Sequence, residues 1–116
     1  FYKNNNIKSL IILKKKIKKG NTIKADIFSD EFVKNELEKM IKILKPNGPI
    51  NIQFFYSKIN KKIFFIEINP RFSGTTYFRT LLGYNELGNL LNKKPINKLN
   101  NEYSVIRYHD EKKIKK

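Results

Sequence analysis

The stretch INIQFFYSKINKKIFFIEINP, residues 50–70, decides the fold expected for this chain. Two apolar runs rich in Ile and Phe flank the polar segment KINKK, a pattern that predicts an antiparallel β-hairpin. Because side chains alternate along a strand, Glu67 and Asn69 then emerge on one face together with Phe65, while Ile66 and Ile68 point the opposite way.

The expected register of this hairpin is symmetrical about Asn60. It pairs Ser57 with Ile63, Phe55 with Phe65, Gln53 with Glu67, and Asn51 with Asn69. Cβ atoms of directly opposed residues lie about 4.5–5.5 Å apart, so Gln53, Glu67 and Asn69 are expected to converge. All three offer oxygen to a hard cation such as Mg²⁺, which commonly completes its shell with water and substrate phosphates. One carboxylate is enough if a polyphosphate brings most of the negative charge, so the pattern indicates a metal–nucleotide complex.

Arg71 follows this group directly, beyond Pro70, whose fixed φ suits the end of a strand. A guanidinium in that place is suited to bind phosphoryl oxygens and to stabilise charge during phosphate transfer. The spacing leaves a second interpretation equally open. Glu67 and Asn69 are then a solvated face, and Arg71 is an ion-pair partner.

The other segments predict short strands and helices around the hairpin. FYKNNNIKSLIILKKKI predicts two strands joined by an asparagine-rich turn and closed by the following lysines. Ser29 is the expected N-cap of a helix that buries one apolar face and stops at Lys45. That face comprises Val33, Leu37, Met40, Ile41 and Leu44. The segments TTYFRTLL and NELGNLL predict short helices, and EYSVIRY predicts a last strand. The fold class is therefore α+β, with a mainly antiparallel sheet and packed helices.

The composition limits the domain size, the covalent chemistry and the cellular location expected for the chain. Its 116 residues form one domain or part of one, and without cysteine it has no disulfide and no thiolate site. No apolar run approaches the roughly 20 residues that span a bilayer, so no membrane association is expected and the cytoplasm fits best. Since the chain begins at Phe1 rather than at Met, we expect a piece of a longer protein.

The formal charge of +15 raises the question of nucleic acid. Only three of the 25 basic residues are arginines, and the excess is spread along the chain. Asparagine and isoleucine are abundant as well, which is typical of a biased genome rather than of a selected partner. A basic nucleic-acid-binding module is therefore the alternative, not the preferred interpretation.

The combination of GPINIQFF with FIEINPRFSGT resembles the C-terminal part of the ATP-grasp domain. The similarity is greatest to the carbamoyl phosphate synthetase large subunit and to related stand-alone carboxylate–amine ligases. It covers residues 1–109, which the resemblance implies are the C-terminal portion of that domain, whereas residues 110–116 form a charged tail expected to fray.

The resemblance implies roles for individual residues. In that family the positions matching Gln53, Glu67 and Asn69 bind Mg²⁺ or Mn²⁺, with two ions bridging the ATP phosphates. Asn69 and Arg71 match nucleotide-contacting positions, and Arg71 matches the catalytic contact to the transferring phosphoryl group. Such enzymes turn a small carboxylate into an acylphosphate with ATP, and an amine or ammonia then attacks it.

Two departures limit what the resemblance implies. The chain carries SGT where carbamoyl phosphate synthetases usually carry a second arginine, so a stand-alone ligase matches better than an enzyme that phosphorylates bicarbonate. The N-terminal ATP-grasp subdomain, with its phosphate-covering loop, has no match here. The chain alone is therefore expected to be inactive, and a degenerate, non-catalytic relative is a further alternative.

Several other residues carry two interpretations each. Phe55 and Phe65 either floor a purine pocket or pack across the hairpin, which is the commoner role. Arg79 either meets a substrate carboxylate or forms a surface ion pair. The segment from Ser73 to Thr76 either binds an anion or caps a helix, and Lys14, Lys15 and Lys16 either approach phosphate or face solvent. His109 has no visible partner and receives no role.

Overall fold

The computed structural model describes residues 1–91 and 102–107, and the two segments form an α+β fold with antiparallel sheets. The fold class expected from the sequence is confirmed at this level. The elements in chain order are β1 (Tyr2–Lys3), β2 (Asn6–Ile7), β3 (Leu13–Lys18), β4 (Asn21–Ile27), α1 (Glu31–Leu44), β5 (Asn51–Ser57), β6 (Lys62–Asn69), α2 (Thr76–Leu81), α3 (Glu86–Leu90) and β7 (Ser104–Ile106). His109 and the tail at 110–116 lie outside the described residues. No helix in the described part of the chain combines the length and the apolar character needed to cross a membrane.

The asparagine-rich turn forms as predicted. Asn4 and Asn5 adopt φ of 54° and 56°, and the turn joins β1 to β2. The lysines that follow do not close this hairpin, which corrects the sequence interpretation. They lie on β3, which turns through Lys19 and Gly20, both at positive φ, into β4. Strand β4 was not predicted; it forms because it is the central strand between β3 and β7.

Helix α1 stops where the sequence predicts but begins with a different cap. The backbone of Asp30 is extended, and its carboxylate accepts a hydrogen bond from the Val33 amide at 3.1 Å, so Asp30 rather than Ser29 is the N-cap. Lys45 takes a left-handed conformation and ends the helix. Val33, Leu37 and Ile41 are buried as predicted, whereas the last turn lifts Leu44 into solvent.

The hairpin of β5 and β6 has the predicted register over its open end only. Gln53 lies opposite Glu67, and Asn51 lies opposite Asn69. Between Gln53 and Phe54 the register shifts by one residue, because β6 carries a β-bulge. The predicted pairs of Phe55 with Phe65 and of Ser57 with Ile63 are therefore wrong.

The bulge also changes which aromatic rings meet. Phe65 lies opposite Phe54, with ring centroids 6.3 Å apart, instead of opposite Phe55. The ring of Phe55 is left 71% exposed. The two rings thus do not form one floor on the face of Glu67, and the purine-pocket interpretation is not supported.

The C-terminal part of the described chain packs around α2. Asn85 caps α3, its side-chain oxygen accepting from the Gly88 amide at 2.8 Å, as NELGNLL predicts. Strand β7 joins β4 along Ser104–Ile106, within the predicted EYSVIRY segment. The core gathers residues from the start of the chain, β4, α1 and the segment around α2, namely Phe1, Tyr2, Ala25, Val33, Leu37, Ile41, Phe78, Leu82 and Tyr84.

Candidate functional site

Three oxygen-bearing side chains meet at the open end of the β5–β6 hairpin. The Nε2 atom of Gln53 donates to Oε2 of Glu67 at 2.9 Å, and Nδ2 of Asn69 donates to Oε1 of Glu67 at 2.5 Å. We call Gln53, Glu67 and Asn69 the oxygen triad. The sequence predicted this convergence, because antiparallel pairing opposes Gln53 to Glu67 and alternation places Asn69 on the same face.

The β-bulge lies directly beside the oxygen triad. It interrupts the ladder just after Gln53, where one extra residue of β6 is accommodated. Bulges locally bend a strand and re-aim its side chains, and they are frequent beside functional sites. The predicted register is therefore kept only on the side of the bulge that holds the triad, and it shifts by one residue on the other side.

Arg71 lies next to the triad without pairing to it. Its backbone amide donates to the Asn69 carbonyl at 2.8 Å, and its Nη1 donates to the Phe72 carbonyl at 2.9 Å. Across residues 1–91 and 102–107, no carboxylate lies within ion-pair distance of the Arg71 guanidinium. Among the described residues Arg71 therefore has no ion-pair partner, and its exposed guanidinium is accessible to an external anion.

A cavity of about 170 Å³ opens beside the triad and contains only cationic and neutral lining residues. We call it the basic cavity, and its polar lining side chains belong to Lys15, Asn21, Thr22, Asn51, Gln53, Arg71, Ser73, Thr75 and Arg107. Three cations around one space with no carboxylate in the lining create a positive potential that favours anions.

Lys15 enters the basic cavity from the sheet of β3, β4 and β7. It lies opposite Ala25, which is fully buried, so its side chain projects from the covered face of the sheet. Burial lowers the pKa of the Lys15 ammonium below its ordinary value, and the nearby Arg79 guanidinium lowers it further. Lys14 and Lys16 are exposed. The sequence alone predicts the same two roles for all three lysines. Only alternation along β3 distinguishes the half-buried Lys15 from its two exposed neighbours.

Arg107 was not singled out from the sequence. Its guanidinium stands 5.2 Å from the centre of the Phe78 ring, and its Nη2 donates to the Gly74 carbonyl at 3.2 Å. Gly74 belongs to the SGT segment, so Arg107 connects the end of β7 to the wall of the basic cavity. No local signal reveals this role, because it depends on β7 pairing with β4.

Arg79 is the centre of a buried polar network rather than a surface residue, which corrects the sequence interpretation. Arg79 and Glu86 are only 6% and 7% exposed, and Nη2 of Arg79 donates to Oε2 of Glu86 at 2.5 Å. Other Arg79 donors bind the hydroxyl groups of Ser73, Thr75 and Thr76. We call these five residues the Arg79 network.

The Arg79 network shapes the SGT segment. The hydroxyl oxygen of Ser73 accepts from Nη1 of Arg79 at 2.8 Å and from the Thr75 amide at 3.2 Å. The hydroxyl group of Thr76 donates to the Ser73 carbonyl at 2.9 Å. These hydroxyl groups therefore hold the loop in place, while the loop itself forms one wall of the basic cavity.

The oxygen ligands of the triad fill only part of the coordination shell of a hard cation. Both carboxamides use N–H groups toward Glu67, so a half-turn of each amide would present oxygen instead. Among the described residues no three His, Cys, Asp or Glu side chains cluster as a metal site. The triad thus offers one carboxylate and two amide oxygens, a set that suits Mg²⁺ only when a ligand supplies further oxygens.

Comparisons with protein-family models, with curated proteins and with solved structures found no match for this chain. The resemblance to the ATP-grasp family thus stays a prediction.

Proposed function

We propose that this chain is the C-terminal portion of an ATP-grasp domain and supplies the metal–nucleotide wall of a carboxylate–amine ligase. The observation that carries the proposal is the contact of Gln53, Glu67 and Asn69 at the edge of a cavity that Arg71 also lines. Oxygen ligands on one side and an unpaired guanidinium on the other suit a magnesium-bound polyphosphate.

Each residue has a separate task in the proposed reaction. Glu67 supplies the charged metal ligand, and the amide oxygens of Gln53 and Asn69 complete the protein's share. Mg²⁺ or Mn²⁺ bound there, in one or two ions, would neutralise charge on the ATP phosphates. Arg71 donates N–H groups to the oxygens of the transferring phosphoryl group.

The proposed reaction has two steps. A carboxylate oxygen of the substrate attacks the γ-phosphorus of ATP, the bond to the bridging oxygen breaks, and ADP leaves with both electrons of that bond. An amine or ammonia then attacks the acyl carbon, the bond from that carbon to the phosphate oxygen breaks, and inorganic phosphate leaves with the electron pair and accepts the proton lost by the nitrogen. The absence of cysteine from the 116 residues supports a reducing, cytoplasmic setting for such an enzyme.

A preceding subdomain is part of the proposal. On the hairpin face that carries Gln53, the opposed residues Phe55 and Phe64 are exposed, and exposed apolar surface of this kind marks an interaction surface. In an ATP-grasp enzyme the site closes between two subdomains. We therefore assign the opposite wall of the nucleotide site, with the phosphate-covering loop, to an N-terminal subdomain.

Binding of a non-hydrolysable ATP analogue with Mn²⁺ tests the proposal, with the bound ion followed by electron paramagnetic resonance. We expect saturable binding that needs both metal and nucleotide, and that weakens at least about tenfold in Glu67→Gln, since even the partners of metal ligands change affinity 10- to 100-fold. Glu36→Gln is the matched control, because it removes the same charge from α1, where Glu36 only pairs with Lys39.

Two results would overturn the proposal. One is equal nucleotide binding by Glu67→Gln and Glu36→Gln. The other is tight binding of a labelled oligonucleotide, with a steep salt dependence and no requirement for metal, which would support the nucleic-acid alternative.

A further inference from the structure

The described residues include cations that form ion pairs, and the cations of the basic cavity are not among them. Lys24, Lys34, Lys39 and Arg79 each have a carboxylate within ion-pair distance. In the described ranges 1–91 and 102–107, Lys15, Arg71 and Arg107 have none, and these three line one cavity. The cavity therefore concentrates positive charge that the described part of the chain does not neutralise.

Lys15 is the least easily explained of the three as a structural residue. It projects from the face of β3 that carries buried Ala25, and it lines a second cavity of about 80 Å³ together with Arg79 and Glu86, whose carboxylate is already paired with Arg79. A half-buried cation next to another cation opposes folding unless an anion comes with it. A bound anion would offset that cost.

Arg107 lines the basic cavity together with Lys15 and is held by two contacts of its guanidinium. One N–H group donates to the Gly74 carbonyl, and the guanidinium plane lies against Phe78. A guanidinium carries five N–H donors, and within the described segments only one of them is used. The remaining donors suit the two oxygens of a carboxylate or of a phosphate group.

Size and charge together define the ligand class. The cavity of about 170 Å³ is smaller than the roughly 300–1,000 Å³ of sites for drug-sized molecules. We infer that Lys15 and Arg107 bind the second anionic group of a small dianionic carboxylate, whose reacting carboxylate faces Arg71. The assignment of this dianion as the substrate rests on the proposed ligase function, whereas the binding site itself does not.

The inference is tested by calorimetric titration of the chain with succinate, without metal or nucleotide. We expect saturable binding that weakens at least about tenfold in Lys15→Gln and in Arg107→Gln, the usual loss for a hydrogen bond to a charged group. Lys16→Gln is the matched control, because Lys16 is the next residue of β3, is exposed and does not line the cavity. Thermal unfolding without ligand shows that each variant is folded.

Acetate and inorganic phosphate complete the experiment. Acetate lacks the second anionic group and is expected to bind at least about tenfold more weakly than succinate. Tighter binding of phosphate than of succinate would overturn the dicarboxylate assignment. Absence of saturable succinate binding, or equal losses in Lys16→Gln and Lys15→Gln, would overturn the site.

Failure of the ligase proposal leaves a different pattern. If the metal-dependent nucleotide titration fails while the succinate site persists, the anion site stands and the ligase does not.

Discussion

The Arg79 network and the basic cavity share a wall but treat positive charge in opposite ways. Arg79 is buried, pairs with Glu86 and binds the hydroxyl groups that hold the SGT loop. On the other side of that loop, Lys15, Arg71 and Arg107 line a space without any carboxylate. Among the described residues, the first region contains its own counter-charge, and the second contains none.

This difference distinguishes a charged residue that is paired inside the fold from charged residues that remain unpaired around a cavity. The Nη1 and Nη2 groups of Arg79 are bonded within the network, and its Nε is buried without a partner among the described residues, so neither end of this guanidinium is open to a ligand. Cations that remain unpaired around a cavity cost stability and are typical of binding sites, where stability is exchanged for function. Replacing residues in each region should therefore change stability in opposite directions.

The largest effect is expected from breaking the Arg79–Glu86 pair. Glu86→Leu leaves a buried guanidinium without its carboxylate, so the free energy of unfolding should fall by about 3–5 kcal/mol in urea denaturation. Glu36→Gln, which breaks an exposed pair on α1, should cost under about 1 kcal/mol. A loss of stability from Glu86→Leu as small as that of the control would show that the Glu86 carboxylate does not stabilise the buried Arg79 guanidinium.

The opposite sign is expected in the basic cavity. Lys15→Met removes a half-buried unpaired cation and keeps the apolar stem, so it should raise the free energy of unfolding, by about 0.5–2 kcal/mol. Lys16→Met on the exposed face should change it less. Chemical denaturation at neutral pH measures both, and a loss of stability in Lys15→Met would place Lys15 among the structural charges.

The pH dependence of this gain follows from the lowered pKa of Lys15. Below the folded-state pKa both states are protonated, and the cost of burying the charge is complete. Between that pKa and the ordinary value of 10.5, the unfolded state binds more protons, so the stability of the unmodified chain rises with pH. The advantage of Lys15→Met should therefore shrink as the pH approaches 10.5, as urea denaturation at several pH values would show.

The smallest effect is expected from an exposed group that belongs to neither region. A hydrogen bond from the Ser104 hydroxyl group, and then the nearby Lys24, hold the pKa of Asp26 below its ordinary value of 3.8. The stabilisation is complete above pH 3.8 and is lost as the pH falls through the folded-state pKa. Asp26→Asn should thus weaken β7 slightly at neutral pH and not at strongly acidic pH, as amide hydrogen exchange of Val105 would show. Equal protection in both proteins at neutral pH would contradict it.

The elements fixed by short-range patterns were largely predictable. The asparagine turn, the stop of α1 at Lys45 and the open end of the β5–β6 hairpin all depend on residues close in sequence. The strand pattern also brought Gln53, Glu67 and Asn69 together correctly, because alternation and register suffice for that. Their roles as metal ligands stay predictions.

The errors arose where a neighbouring element decides the outcome. The bulge of β6 placed Phe65 opposite Phe54. Strand β4 forms because it pairs with β3 and β7, whereas its own polar sequence does not predict a strand. Arg79 was expected at the surface, but α3 places Glu86 against it and excludes solvent.

The sequence by itself determined an α+β chain with an oxygen triad beside an arginine, because hydrogen-bond register and side-chain alternation are local properties of a hairpin. Only the tertiary structure decided which basic residues are paired and which surround a cavity. Lys15, Arg71 and Arg107 come from three distant segments, and their shared space exists because β7 joins β4 while the Arg79 network fixes the loop between them.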